Sequence, residues 1–384
     1  MSTPRRASTL EFAVEHSLVL PVGAVVALLW ANTFSESYAR FALALQFVVN
    51  DVGMVFFFAL AAKEVVEATA PGGALHTWRR AALPVVAAVG GMVAPALIYL
   101  WIVYAINQTQ LVRGWAIPCA TDIAFSYLVA KAIFRRHPAV PFLLLLAIVD
   151  DALGLIILAV FYPTNDLHVL AGGLLLVAAL VISFGFRRLG TQSFWPYVLA
   201  GGGLSWAAMY FGGVHPALAL VPIVPFIPHA ARDFGLFVEA PPNVHDGLTE
   251  LEHRFRHPVQ VVLFFFALVN AGVKFQAIEP GSWAVLAAIT AGKPIGIVTT
   301  AAIAVGLGLH LPHRLRWPDV IIVGFAASIG FTLALFFATA AFPPGGLLNT
   351  VKMGALMSVS GAGLAAVAAA LLRVGRFAKA VRHP

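Results

Sequence analysis

Two adjacent aspartates, Asp150 and Asp151, lie in the middle of the apolar segment LLLLAIVDDALGLIILA, residues 143–159. Counted from Pro141 to Tyr162, this apolar run has 22 residues, and the aspartates are its tenth and eleventh. A helix of that length, rising about 1.5 Å per residue, crosses a bilayer core of about 30 Å. Both carboxylates would then lie near the midplane, where one ionised aspartate costs at least about 2.5–3.5 kcal/mol. A pair of them therefore predicts a function that needs buried negative charge.

The other polar residues inside apolar segments form an unusual inventory of several acids and one buried base. They are Asp51, Glu64, Thr121, Asp122, Asn270 and Lys293. Lys293 lies too deep in its segment to reach the interface, so it is predicted to pair with an acid or to lose its proton. Adjacent helical residues point about 100° apart, so one aspartate can face Lys293 while the other faces an aqueous funnel. The spacing alone leaves open which aspartate does which.

These oxygen-rich side chains suit Na⁺ or Li⁺, because small hard cations prefer oxygen ligands. They equally suit protons, and a cation and protons would then compete for the same carboxylates. Competition at a site that opens alternately to the two sides of a membrane is itself an exchange mechanism. The alternative is an inert ion pair that pins two helices. One lysine neutralises only one aspartate, so this alternative explains Lys293 and its partner better than it explains the second aspartate.

Composition indicates the kind of molecule that positions these groups. The 384 residues are 60% hydrophobic and only 11% charged, whereas soluble proteins are about 25% charged. The pattern predicts one all-α, polytopic transmembrane domain over residues 1–384. Twelve spans are expected. Their centres lie near Val25, Phe57, Val93, Cys119, Ile148, Val177, Leu204, Leu220, Phe265, Ile295, Ile329 and Val367.

The basic residues also fit a membrane protein. The formal net charge is +7, but Lys and Arg are spread over short loops on one side rather than in one block, which argues against nucleic-acid binding and for the positive-inside rule. Both termini are therefore expected in the cytoplasm, and the first apolar run is expected to be a retained span rather than a cleaved signal. The single cysteine excludes an intramolecular disulfide.

Two predicted spans are interrupted in corresponding places. The fourth contains Pro118 followed by Thr121 and Asp122, and the eleventh contains Ser328, Gly330 and Thr332 in its middle. Each is the middle member of three consecutive spans, within residues 82–162 and 281–376. Paired interrupted helices of this kind point to a transporter built from two inverted repeats with its site between them. The alternative is two ordinary kinks, because Gly and Pro are frequent in transmembrane helices.

A second charged group is expected at the cytoplasmic mouth. Glu64 lies near the end of the second span, where Lys63 and Glu67 at i, i+4 are predicted to form a solvated pair. The ninth span opens with LEHRFRH, which holds Glu252, His253 and His257. Histidines titrate near physiological pH, so this mouth is either pH-responsive or an ordinary charged interface.

At these residues the sequence resembles the NhaA-type Na⁺/H⁺ antiporters over essentially its whole length. ATDIAFS (120–126), AIVDDALGLIILAVFY (147–162) and GKPIGI (292–297) occur together in this order, which is far more specific than any one of them alone. Further matching stretches are LLWANT (28–33), ALPVVAAVGGMVAPALIYL (82–100), GVHPAL (213–218), LEHRFRHP (251–258), NAGV (270–273) and SIGFTLALFFA (328–338).

The resemblance implies a bacterial inner-membrane transporter that exchanges Na⁺ or Li⁺ for protons, is regulated by pH, and has neither enzymatic activity nor a cofactor. Its partners would be Na⁺, Li⁺, H⁺ and the lipid bilayer. Asp151 would be the principal cation and proton ligand, with Asp150 its partner, held by Lys293. The resemblance places Thr121, Asp122, Lys293 and Gly330 at the crossing of the broken helices, and Glu64, Glu252, His253 and His257 at the cytoplasmic, pH-responsive funnel.

Some features depart from the family pattern. The usual GLEVKREL is replaced by AAKEVVEA (61–68), the eighth span, PALALVPIVPFIPH (216–229), is rich in proline, and the linker between the first two spans is short. These departures leave pH dependence and a homodimer open. Two other functions remain as alternatives. A sodium–solute symporter could share this architecture, although it would more often coordinate Na⁺ with neutral oxygens. An intramembrane aspartyl protease would need its carboxylates on separate helices.

Overall fold

The computed structural model describes residues 19–135, 137–163, 168–229 and 246–377. Within these ranges the chain is helical and contains no β-strand. The α-helices in the first half are α1 (Val19–Thr33), α2 (Ser35–Phe47), α3 (Met54–Thr69), α4 (Trp78–Ala105), α5 (Ile123–Phe134), α6 (Ala139–Phe161), α7 (Val169–Arg188) and α8 (Gly203–Gly212). Those in the second half are α9 (Gly247–Asn270), α10 (Pro280–Gly306), α11 (Trp317–Ala327), α12 (Phe331–Ala341), α13 (Gly346–Met357) and α14 (Gly361–Leu371).

Several of these helices have the length and composition of membrane spans. Among the described residues, six helices qualify singly, and the number rises to eight if each of two bent pairs counts as one span. Other predicted spans are shorter or more charged. Helix α1 has 15 residues, and α9 carries the charged LEHRFRH stretch, residues 251–257, after its first turn. The polytopic all-α architecture predicted from composition is confirmed.

The two predicted helix breaks are confirmed. In the fourth span a 3₁₀ turn, Ile117–Cys119, is followed by extended backbone before α5 begins at Ile123, and the two parts are bent by 52°. In the eleventh span α11 ends at Ala327 and α12 begins at Phe331, with a bend of 49°. Pro118 lies in the 3₁₀ turn directly before the first break, and because proline has no backbone N–H, a regular α-helix does not run through this position.

The predicted eighth span is not an α-helix. Residues 216–227 form 3₁₀ turns, Pro216–Leu218 and Val224–Phe226, joined by further turns. Four prolines between positions 216 and 228 remove backbone donors too often for a regular helix. The segment is nonetheless buried at Ala219, Leu220 and Ile223, so it packs inside the helical bundle.

The short linker between the first two spans is helical. Helix α2 continues through a π-helical segment, Val48–Gly53, into α3, so residues 35–69 form one long helix. No strand occurs between residues 31 and 53. The first 18 residues and residues 378–384 lie outside the described ranges, so the cytoplasmic placement of the termini stays a prediction.

The apolar interior divides differently at the two ends of the bundle. At the end where α6 and α11 begin, two separate clusters are buried. One joins α4, α5, α6, α10, α11 and α14 and includes Leu143 and Val323; we call it the crossing core. The other joins α3, α7, the turns at 219–227 and the start of α9, and includes Leu248; we call it the α9 core. At the opposite end, one continuous cluster connects both sides.

Candidate ion site at the crossing of two broken helices

The two helix breaks touch each other. The backbone N–H of Asp122 donates a hydrogen bond of 2.6 Å to the carbonyl of Ile329. A Cβ atom at Gly330 would lie 2.8 Å from the carbonyl oxygen of Ala120, closer than side-chain carbons approach. Gly330 therefore permits the two backbones to cross, and the crossing leaves backbone groups outside regular helices in the middle of the bundle.

Asp122 binds the beginnings of two helices at this crossing. Its carboxylate accepts hydrogen bonds from the backbone N–H of Phe125, at 3.2 Å, and of Thr332, at 3.1 Å. The hydroxyl of Thr332 donates to the same oxygen. Helix N-termini carry partial positive charge, so one carboxylate compensates both α5 and α12. Thr332 is part of the predicted helix break, but its contact with Asp122 joins positions 210 residues apart and has no signal in the sequence.

A buried ion pair lies beside Asp122. The ammonium group of Lys293 is 2.7 Å from the carboxylate of Asp150, and both side chains are almost fully buried, with relative exposures of 0% and 1%. Lys293 also donates to the hydroxyl of Thr121. That hydroxyl lies 2.7 Å from Asp150 and 3.2 Å from the carbonyl of Ala327, at the end of α11. The lysine thus connects α10, α6 and both breaks.

Close packing of α10 on α4 places Lys293 there. A Cβ atom at Gly292 would lie 2.6 Å from the Cα atom of Pro95. The GKPIGI motif repeats this approach at Gly296, whose Cβ position is occupied by the backbone of Gly90. Small residues let helix backbones approach closely in membranes, so the glycines before and after Lys293 fix the depth and direction of its side chain.

Asp151 differs from Asp150 in its surroundings. It is buried, with 7% relative exposure, and forms no ion pair among the described residues, whereas Asp150 pairs with Lys293. The Oδ1 atoms of both aspartates lack a hydrogen-bond partner in the described part of the chain. The charges of Asp150, Asp122 and Glu64, and the opposite charge of Lys293, all act on Asp151. No cluster of three or more His, Cys, Asp or Glu suited to a metal centre occurs in the described part of the chain.

Lys63 organises the charges at one end of the site. Its ammonium lies 2.6 Å from both Glu67 and Glu252 and 3.7 Å from Glu64. The predicted solvated pair of Lys63 and Glu67 is wrong in its exposure, because Lys63 is only 5% exposed. The i, i+4 spacing identified the contact but not Glu252, which packs against α3 from another helix and encloses the lysine.

His253 and His257 do not join this cluster. Both are exposed on α9, and His253 lines a shallow surface depression with Trp195, Glu250 and Arg254. Of the four residues predicted at the mouth, the structure brings together Glu64 and Glu252. A helix of 3.6 residues per turn separates Glu252 and His253 by about 100°, which explains why they face different surroundings.

The polar inventory from the sequence was incomplete. Lys63 and Lys352 are buried as well as Lys293, with 5% and 8% exposure, so the prediction of one buried base is wrong. Asn50 and Asn270 form a reciprocal pair of amide hydrogen bonds between the π-helical segment and α9. Lys352 was missed because the twelfth span was centred near Val367, whereas α13 begins the span at Gly346.

The fold and site define a polytopic helical transporter with two broken helices crossing beside buried carboxylates. The family model for Na⁺/H⁺ antiporter 1 matches residues 8–372, and the chain belongs to that family. It is 44% identical to the Na⁺/H⁺ antiporter NhaA of Desulfitobacterium hafniense (strain DSM 10664 / DCB-2), over 95% of this chain and 96% of the relative. It is 43% identical to the NhaA of Geobacter sulfurreducens, over 90% and 92%.

A solved structure shares the fold. The sodium–proton antiporter MjNhaP1 from Methanocaldococcus jannaschii, determined at pH 8, aligns with a TM-score of 0.55. The alignment covers 93% of this chain and 91% of that chain, at 14% sequence identity. At this identity the likeness concerns the fold alone. It supports the all-helical membrane architecture predicted from composition.

Proposed function

We propose that this protein exchanges Na⁺ or Li⁺ for protons across the bacterial inner membrane, and that Asp151 is the carboxylate for which both compete. The observation that carries the proposal is the contrast between the two aspartates. Asp150 forms an ion pair with Lys293 at 2.7 Å, whereas Asp151 is buried and forms no ion pair among the described residues. A buried carboxylate without an ion-pair partner either binds a proton or binds a cation, and these are the two ions that the protein would exchange.

The groups around Asp151 have separate roles in the proposed exchange. Lys293 and Thr121 hold Asp150 in a charge-neutral pair, so a second negative charge at Asp151 is not repelled by a fully unpaired neighbour. Asp122 keeps the ends of α5 and α12 in place, and Gly330 lets the breaks cross. Backbone carbonyls released by these breaks offer the hard oxygen ligands that Na⁺ and Li⁺ prefer.

The divided packing supports alternating access. The crossing core and the α9 core are separate at the end of the bundle that carries Glu64 and Glu252, and a single core closes the opposite end. A movement of the helices around the crossing core relative to those around the α9 core would shift the opening from one end of the bundle to the other, while the site stays near the midplane. The repeats at 82–162 and 281–376 would supply the moving elements around the crossing.

The remaining assignments follow the same proposal. The divided end is assigned to the cytoplasm, where Glu64, Glu252, His253 and His257 would make exchange sensitive to pH. Transport of ions needs neither a cofactor nor an enzymatic step, and the family match supports exchange rather than sodium–solute symport. The ions proposed to bind at Asp150 and Asp151 are the transported cation and protons, and no resident metal is assigned to these residues.

Exchange in everted membrane vesicles tests this function. A proton gradient is established, Na⁺ or Li⁺ is added, and recovery of the fluorescence of a ΔpH dye is followed between pH 6 and 9. We expect Na⁺ and Li⁺ to dissipate the gradient in vesicles with the wild-type protein. Asp151→Asn should abolish the response, because the amide is neutral at every pH and cannot exchange a proton.

A matched variant separates the site from a general effect of losing a carboxylate. Asp51 is an aspartate in another part of the bundle, 3.8 Å from His215, and Asp51→Asn should keep exchange. Full exchange by Asp151→Asn would refute the assignment of the shared ligand. No response to Na⁺ or Li⁺ in the wild type, with the protein present in the membrane, would refute the proposed function.

A further inference from the structure

Lys63 is a buried cation enclosed by three carboxylates. Its side chain is 6% exposed, whereas those of Glu64, Glu67 and Glu252 are 29–39% exposed. Two of the acids lie on α3 with Lys63, and Glu252 reaches it from α9. A buried ammonium is costly unless it is paired and hydrogen-bonded, and here its donors meet carboxylate oxygens at 2.6 Å from two directions.

The cluster is negative even with the lysine in place. One ammonium and three carboxylates give a formal charge of −2, and without the lysine the charge would be −3. Oxygen atoms converging on a small cation are the arrangement that Na⁺ and Li⁺ also prefer. The ammonium of Lys63 therefore lies at the point that carboxylate oxygens of Glu64, Glu67 and Glu252 approach within 3.7 Å, 2.6 Å and 2.6 Å.

The cluster stands next to the proposed ion path. Helix α3 packs against both α6, which carries Asp151, and α9, which carries Glu252. Glu64 exerts an electrostatic effect on Asp151. Lys63 approaches Glu67 and Glu252 more closely than Glu64. Glu64 is thus the least tightly paired acid of the group, and its charge acts on Asp151.

We propose that Lys63 is a positioning residue that keeps the three mouth carboxylates from trapping the transported cation. By pairing with Glu67 and Glu252 it ties α3 to α9, and it leaves Glu64 to attract Na⁺ or Li⁺ without holding it. The inference rests on the proposed exchange function and concerns the approach to Asp151. It predicts that loss of Lys63 tightens apparent binding and slows turnover.

The size of the effect follows from the distances. The ammonium of Lys63 lies 3.7 Å from the carboxylate of Glu64, and two unit charges at that distance in a water-like dielectric interact by an energy that corresponds to about a sevenfold change in affinity. Lys63→Met should therefore lower the apparent KM for Na⁺ by about fivefold or more. The maximal rate should fall as well, because a cation held at the mouth leaves it slowly. A merely structural role would reduce activity or stability without lowering KM.

The experiment measures KM and maximal exchange for Na⁺ in everted vesicles at low ionic strength. Lys63→Arg keeps the charge and should resemble the wild type. Lys63→Met combined with Glu67→Gln restores the formal charge to −2, so it should return KM toward the wild-type value even if the single variant folds poorly. Lys131→Met removes an exposed lysine elsewhere on the same side and serves as the charge control. Added choline chloride should shrink the effect by screening.

The outcomes distinguish this inference from the proposed function. A lower KM and lower maximal rate for Lys63→Met, reversed by Glu67→Gln, support the positioning role. An unchanged or raised KM for Lys63→Met, with normal exchange by the wild type, overturns it and leaves the proposed function intact. Absence of exchange in the wild type overturns the proposed function. An equal fall in KM for Lys131→Met would show a general surface-charge effect and would also overturn the positioning role.

Discussion

Removal of Lys293 should destabilise the protein, because it leaves Asp150 without a counterion in the centre of the bundle. The perturbation is Lys293→Ala, with Asp150→Asn and the double variant completing a cycle. Lys293 is fully buried and lies 2.7 Å from Asp150. Breaking a buried ion pair by removing one member typically costs about 3–5 kcal/mol, whereas removing both charges costs far less. The double variant should therefore be more stable than Lys293→Ala alone.

The expected loss of unfolding free energy can be converted into a change in melting temperature. An unfolding entropy of about 2.1 cal/mol/K per residue, taken over the whole chain, gives about 0.8 kcal/mol per degree. A loss of about 3–5 kcal/mol then corresponds to a fall of roughly 4–6 °C for Lys293→Ala. Lowering the pH should reduce this deficit, because a protonated Asp150 carries no unpaired charge. The deficit should be largest in alkaline buffer.

The single cysteine provides the assay. Cys119 is fully buried beside the break of the fourth span, and its thiol donates to the carbonyl of Met92 at 3.2 Å. A dye that fluoresces on reaction with thiols therefore reports exposure of this region during heating in detergent. Equal melting temperatures for the wild type and Lys293→Ala, or a double variant no more stable than Lys293→Ala, would refute the reasoning.

Two further substitutions test the crossing. Gly330→Ala places a carbon 2.8 Å from the carbonyl oxygen of Ala120, so it should lower both the melting temperature and the exchange rate. Gly173→Ala is the control and should lower neither, because no atom lies within 4 Å of its new carbon. Equal behaviour of the two variants would contradict the tight crossing. Thr332→Val removes a hydroxyl donor to Asp122 and should cost about 1–3 kcal/mol, seen as a lower melting temperature. Thr339→Val, which removes only a bond to the carbonyl of Phe336 within its own helix, is the control, and a similar loss for both would argue against a special role for Thr332.

Sequence reasoning predicted the architecture well where hydrophobic length and helix breakers decide it. Proline in the fourth span and glycine in the eleventh indicated the breaks, and the structure confirms them at residues 120–122 and 328–330. The eighth span was predicted as a helix because its composition is apolar, yet repeated prolines turn residues 216–227 into 3₁₀ turns. Hydrophobicity indicates burial, but it does not distinguish a helix from packed turns.

The site depends on contacts that sequence spacing does not encode. Helical periodicity predicted that Asp150 and Asp151 face different surroundings. It did not predict which of them contacts Lys293. That choice depends on how α10 packs on α4 around Gly292. The burial of Lys63 was missed because local spacing suggested an exposed pair with Glu67. The third partner, Glu252, is 189 positions away in the chain, and only the packing of α9 on α3 brings it near.

Proton release on cation binding tests the central claim most directly. Purified protein in weakly buffered detergent solution near neutral pH is titrated with Na⁺ or Li⁺, and the pH change is recorded beside a choline control. If cation and proton compete for Asp151, the wild type releases protons on addition of Na⁺ or Li⁺, Asp51→Asn does the same, and Asp151→Asn releases none. Undiminished proton release from Asp151→Asn would contradict the account.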